Sequence, residues 1–388
     1  MRYVITVVFV LGVIWIGCKD TQPLEGKTSY SELKFDTLYA QKDTFLVQGR
    51  VSTAGSPNLL LGSYAGFTAK TLLHFKILPD DTIQPDSVFL ILHSRANFGT
   101  AADPINGKIQ LIKKEWVESI NENDTLDLQA IDADPYFINT DSADFRINLP
   151  LALLDSWRDT TGGNNNFGLA LDYENAGFIK EFYSGNTENA PELIWSYHSS
   201  PDNSVVYDTT TSTLDASLID FNGDLKSDAL YVGAGYLIRS FIKFDFKSLP
   251  ENINVAYVNF YFPAYQEYSY VNSNKSQNFY LRNVQTPFEE LSAEIEIEID
   301  ETPSENLFVL SDENKSFLKR DDAQLKKSDG GRYYIQDILN NDIKYDSFMI
   351  MYSDEGYDAS IYSLKRSGVK NEAPRIIIGY NTIIPPRL

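Results

Sequence analysis

The chain has 388 residues, 54 acidic side chains against 33 basic ones, and a formal net charge of −21 at pH 7. Apolar residues make up 43% and aromatic residues 13%, enough to bury real cores, so wholesale disorder is excluded. The charge opposes nucleic acid, and one cysteine with three histidines excludes a disulfide framework and a Cys-based zinc cluster.

The first element is an address. Arg2 gives a basic start, and Tyr3 to Ile16 is an almost unbroken apolar run. Gly17 and Cys18 follow, and then polar KDTQP. That is the order of a secretory signal, and the run is shorter than the ~20 apolar residues of a membrane span. Ile16-Gly17-Cys18 resembles a bacterial lipobox, with Trp15 where Leu is usual. The resemblance implies removal of residues 1–17, lipidation of Cys18 and a lipidated tether over 18–35. Acyl chains would anchor the protein at ~0.8 kcal/mol per buried methylene. Lys19 and Asp20 resemble export signals of Bacteroidetes-type surface lipoproteins, which places the protein at the outer membrane or cell surface.

Beyond the tether, short runs rich in β-branched and aromatic residues alternate with Gly, Asn, Asp and Ser. Strands are expected at 70–78, 87–94, 107–114, 167–173, 192–198, 240–246, 256–262, 293–299, 347–353 and 375–380. In 151–159, Leu151, Leu154 and Trp157 at i, i+3, i+6 predict a short helix, and Ile335, Ile338 and Leu339 predict another over 335–342. Both are too short to persist alone, so they must dock on a sheet.

The chain also repeats itself. Residues 58–78 align with 229–249, 111–120 with 283–292, and 189–198 with 372–381; the two helices correspond, and the order is kept. Two homologous units follow, 36–198 and 203–381, joined by the turn formers of HSSPDN (198–203). The fold class is all-β: two tandem antiparallel β-sandwiches, jelly-roll-like, each with one short helix.

The pattern L-x-V-G, R-S-x-I-x-F-D-x-x-x-L-P and A-x-V-x-x-Y in 230–261, with the closing A-P-x-I-x-I-x-Y, resembles the DNRLRE domain. The likeness covers most of the chain after the tether, twice; the first copy departs at Phe75-Lys76. It implies β-sandwich modules of secreted bacterial proteins, some of which bind carbohydrate. Its signature consists of core and turn residues, so it speaks for fold more than for ligand.

Two segments carry candidate chemistry. In IDFNGDLKSDALY (219–231), Asp220, Asn222, Asp224 and Asp228 could converge on one hard cation, so Ca2+ is the expected cofactor there. The competing reading is a solvated Asp/Asn turn, favoured by Leu225 where calcium loops carry Gly. In 257–283, Tyr265, Tyr268 and Tyr270, beside Tyr261 and Tyr280, are candidates to stack on sugar rings. Lys275, Arg282 and Lys243 could pair with carboxylates on the sugar; alternatively, these tyrosines are core and sheet coating. Glu289, Glu290 and Asp172 form no evident acid–base pair, His74 and His93 sit on expected strands, and no catalytic motif is present, so no catalytic residue is assigned. The expected function is a lipid-anchored surface protein that binds polysaccharide. The alternative is a structural or adhesive lipoprotein that docks other proteins.

Overall fold

The computed structural model describes residues 32–382, except 77, 81, 101–103, 121–124, 140, 142–143, 159–165, 200–201, 266–267, 271–277, 295–296, 298–306, 311–317, 321–329, 342–345 and 369–371. Cys18, Lys275 and most of the acidic strand expected at 293–299 lie outside the described residues. The protein is all-β with antiparallel sheets, and its first described strand is β1 (Lys34–Arg50).

Twelve strands form one connected group, A. They are β2 (Asn58–Tyr64), β3 (Phe67–His74), β4 (Ser87–Phe98), β5 (Ile105–Ile112), β6 (Leu128–Ala130), β7 (Tyr136–Ile138), β8 (Asp144–Leu149), β9 (Leu169–Asn175), β10 (Ile179–Tyr183), β11 (Glu192–His198), β12 (Val205–Thr211) and β13 (Leu214–Phe221). Helix α1 (Leu151–Arg158) lies between β8 and β9. The other ten, group B, are β1 with β14 (Ala229–Ala234), β15 (Tyr236–Phe244), β16 (Ile253–Tyr261), β17 (Asn278–Asn283), β18 (Leu307–Leu310), β19 (Leu318–Arg320), β20 (Ser347–Tyr352), β21 (Ser360–Lys365) and β22 (Arg375–Thr382). Helix α2 (Gly330–Leu339) precedes β20.

Period-two patterning explains the strands. In β8 the burial alternates without a break, with Phe145, Ile147 and Leu149 inward. Group A closes on Leu59, Leu61, Leu90, Phe182 and Trp195; group B closes on Phe244, Phe260, Phe279, Ile376 and Ile378. The helices dock as their length requires. α1 buries Leu153, Leu154 and Trp157, while Leu151, expected inward, is 40% exposed. α2 sends Tyr334, Ile335 and Ile338 into the group B core.

The strand ladders do not divide at 198–203. β12 pairs with β11 and β13 pairs with β3, so residues 205–221 complete the sheets of group A. The matching place in group B belongs to β1, the first described strand. Its residues 34–39 pair with β22 and its residues 40–50 pair with β15. The expected start of the second unit at 203 and of the first at 36 therefore follow the sequence repeat and not the hydrogen bonding. Periodicity can mark a strand, but only a ladder says which sheet receives it.

A third apolar cluster joins the groups. Leu60, Phe67 and Ile179 of group A meet Tyr231, Ile238 and Ile361 of group B, with Ile219 and Phe221 of β13 between them. At roughly 25 cal/mol per Å2 of buried apolar surface, side chains of this size bind the groups firmly together.

Candidate functional site

The outer face of β16, β22 and β1 carries an ordered array. The registers Tyr257–Gly379–Phe35, Asn259–Ile377–Thr37 and Tyr261–Arg375–Tyr39 set nine side-chain positions in three rows. The intervening residues Leu38, Ile376, Ile378, Tyr380 and Phe260 point into the group B core. Phe35 is 57% exposed, Tyr39 48% and Tyr257 42%; Tyr261 is half-buried. Lone exposed apolar residues are ordinary, but a contiguous aromatic surface is not.

Two local features build this face. A bulge in β16 between Val255 and Tyr257 breaks the alternation. Val255 is therefore buried while Tyr257, two residues on, faces outward. Gly379 then supplies a floor without a side chain. The Phe35 and Tyr257 rings meet edge-to-face across it, centroids 6.0 Å apart at 72°. A Cβ at Gly379 would lie 2.8 Å from Phe35 Cε1 and 2.9 Å from Tyr257 Cβ.

Polar groups frame the rings. The Arg375 guanidinium lies 5.1 Å from the Tyr261 ring centroid, and Asn259 Nδ2 donates to the Tyr261 hydroxyl at 2.8 Å. Arg375 is the sole charged residue among the nine positions, and none is a carboxylate, in a chain of net charge −21.

The equivalent face of group A differs. Its rows are Thr211–Glu192–Ile91–Arg146, Thr209–Ile194–Phe89–Asn148 and Tyr207–Ser196–Ser87. The repeat puts Glu192 where group B has Arg375, and Ser196 where it has Gly379. Arg146 caps Phe89 at 3.5 Å from the ring centroid. His93 Nδ1 sits 2.8 Å from Asp144 Oδ1, and its Nε2 is 4.0 Å from Glu192 Oε2. Among the rows of that face only Tyr207 remains a widely exposed aromatic. The aromatic surface is thus particular to group B.

The residues singled out in 219–231 take part in a structural joint. Both Asp220 carboxylate oxygens accept from Arg50, Oδ1 from Nε at 2.8 Å and Oδ2 from Nη2 at 2.9 Å. Asp224 pairs with Lys226, and the Asn222 backbone N–H donates to Gly66 O at 2.8 Å. Leu225 packs on the shared cluster, and the Lys226 backbone N–H donates to the Tyr231 hydroxyl at 2.8 Å. Asp228 follows in the same loop. Among the described residues, no three His, Cys, Asp or Glu side chains are grouped to hold a metal.

The candidate tyrosines meet that loop. Tyr265, Tyr268 and Tyr270 are half-buried against the shared cluster; the rings of Tyr265 and Tyr268 stand 4.5 Å apart, and Tyr270 lies 6.3 Å from Phe221. Tyr270 exchanges backbone hydrogen bonds with Ile361, at 2.7 and 2.9 Å. Arg282 is on β17, its guanidinium 4.8 Å from the Tyr280 ring centroid. Lys243 is 3.5 Å from Glu289 and 3.7 Å from Asp346, and Asp172 is 3.0 Å from Lys70. Burial lowers the His74 pKa, and its Nδ1 contacts the Thr213 hydroxyl at 2.9 Å.

Sequence reasoning passed over Phe35 and Tyr39. F-D-T-L-Y-A over 35–40 lacks a strict apolar/polar alternation and lies at the edge of the expected tether. No known family profile, curated protein or solved structure matches the chain.

Proposed function

We propose that this protein is a lipid-anchored surface protein that binds polysaccharide through the outer face of β16, β22 and β1. The observation that carries the reading is the aromatic face on which exposed Phe35 and Tyr257 flank Gly379, and exposed Tyr39 and half-buried Tyr261 flank Arg375. Rings of this kind present apolar faces to the C–H faces of a sugar while tyrosine hydroxyls stay wet. Asn259 and Arg375 add polar groups that can fix orientation. The anchor follows from Cys18 in its lipobox-like context.

A glycan array probed with the fragment starting at Thr21 tests this. Binding is expected for the native fragment, and Phe35→Ala and Tyr257→Ala should each weaken it about 2- to 12-fold, as ~0.5–1.5 kcal/mol per ring contact implies. Absence of binding to any glycan, or binding indifferent to both substitutions, would overturn the reading and leave the protein-docking role.

A further inference from the structure

β1 fills a place that its own repeat does not supply. In group A the equivalent ladder positions belong to β12 and β13, the chain that directly follows β11. Group B has no following strand among the described residues, and β1, which precedes group A in sequence, takes the position. Without β1, the sides of β15 and β22 that it occupies would be open edges, which template pairing with any suitable strand.

The grip on the two closing strands differs. The difference lies in one half: β13 buries six of its eight residues and residues 40–50 of β1 only Gly49, whereas β12 and residues 34–39 of β1 bury one each, Thr210 and Leu38. β1 is held by backbone ladders of nine register pairs to β15 and six to β22, and by Phe45, which packs on the group B core and the shared cluster with its ring 5.2 Å from Tyr231. A few side-chain anchors join them: Arg366 Nε to Asp43 at 2.6 Å, the Tyr380 hydroxyl to Asp36 at 2.7 Å, and Lys42 to Glu289 at 3.0 Å. The exposed Lys42–Glu289 pair contributes little, the Asp43 side chain is 1% exposed in its pair with Arg366, and the ladders set the register. Group A adds to this seat: Arg50 pairs bidentately with Asp220, and buried Thr53, just past β1, exchanges hydrogen bonds with Ser217 of β13 at 2.8 and 3.1 Å, so a β1 from another copy must reach the same acceptor through the short segment 51–57.

We propose that β15 and β22 form a strand-acceptor site, filled here by β1 of the same chain and able to take β1 of a second copy, giving strand-exchanged assemblies. The occupant is the segment Lys34–Arg50, whose Leu38, Asp36 and Asp43 match the acceptor's apolar core, Tyr380 and Arg366. The proposal is independent of what the aromatic face binds.

Cysteine trapping tests it on the chain from Thr21, which keeps every described residue and lacks the single native cysteine. Thr37 and Ile377 are register partners. One population carries Thr37→Cys and the other Ile377→Cys. They are mixed, partly unfolded, returned to native conditions at high concentration and oxidised. The expected result is a disulfide-linked heterodimer of doubled mass. Pairing Thr37→Cys with Thr209→Cys, on the opposite group, should give none. The double variant Thr37→Cys/Ile377→Cys, oxidised beforehand, should close within one chain and block exchange. Absence of the heterodimer would overturn the proposal, as would equal linking to position 209 or failure of the double variant to close.

Discussion

Gly379 governs the aromatic face because it leaves Phe35 and Tyr257 room to meet. Gly379→Val would insert a branched side chain against the rooted Tyr257 Cβ, and crowding of this kind costs ~1–3 kcal/mol. The expected outcome is a lower denaturant midpoint together with weaker glycan binding, read by chemical unfolding and titration. Tyr380 and Asp36 give a pH signature. The hydrogen bond to Asp36 and then burial push the Tyr380 phenol from 10.0 up to about 12. The folded pKa is the higher one, so the stability from this pair is complete below pH 10 and is lost as pH rises through about 12. Tyr380→Phe should remove that alkaline loss, seen as a smaller fall in midpoint across this window. At Asp220, the bidentate contact puts the Arg50 guanidinium charge where a cation would bind. The melting temperature should therefore be the same in Ca2+ and in EDTA, while Arg50→Ala should cost about 0.5–1 kcal/mol.

At the scale of elements, β1 is the informative case. It carries Phe35 and Tyr39, so the aromatic face exists only while β1 is docked on β22. A chain shortened to begin at Val51 should lose hydrogen-exchange protection in 236–244 and 375–380 and keep it in 67–74 and 214–221. Retained protection in 375–380 would contradict this dependence. The strands at 87–94, 192–198 and 375–380 were legible from their apolar runs, and both short helices from their spacing. β1 was hidden because its sequence is mostly polar, KFDTLYAQKDTFLVQGR, and its stability comes from ladder partners about 200 and 340 residues away. The tyrosines at 265–270 were legible as unusual, but their half-burial against the shared cluster follows from packing and not from composition.

Over the whole molecule, the shared cluster sets cooperativity. Tyr231 is fully buried there and its hydroxyl accepts from the Lys226 backbone. Tyr231→Ala should destabilise by ~3–5 kcal/mol, by analogy with other large aromatic deletions, and lower the protection of both groups together. Loss confined to group B would mean that the cluster does not couple them. The sequence by itself determined the all-β class, the internal repeat, most strands, both helices and the acidity, because period, turn chemistry and charge are local properties of the chain. Tertiary structure decided which group receives each closing strand and which face carries the rings. Those outcomes depend on hydrogen-bond partners hundreds of residues apart, on a bulge that reverses the facing of Tyr257, and on a glycine whose use appears only once two aromatic side chains are brought to either side of it.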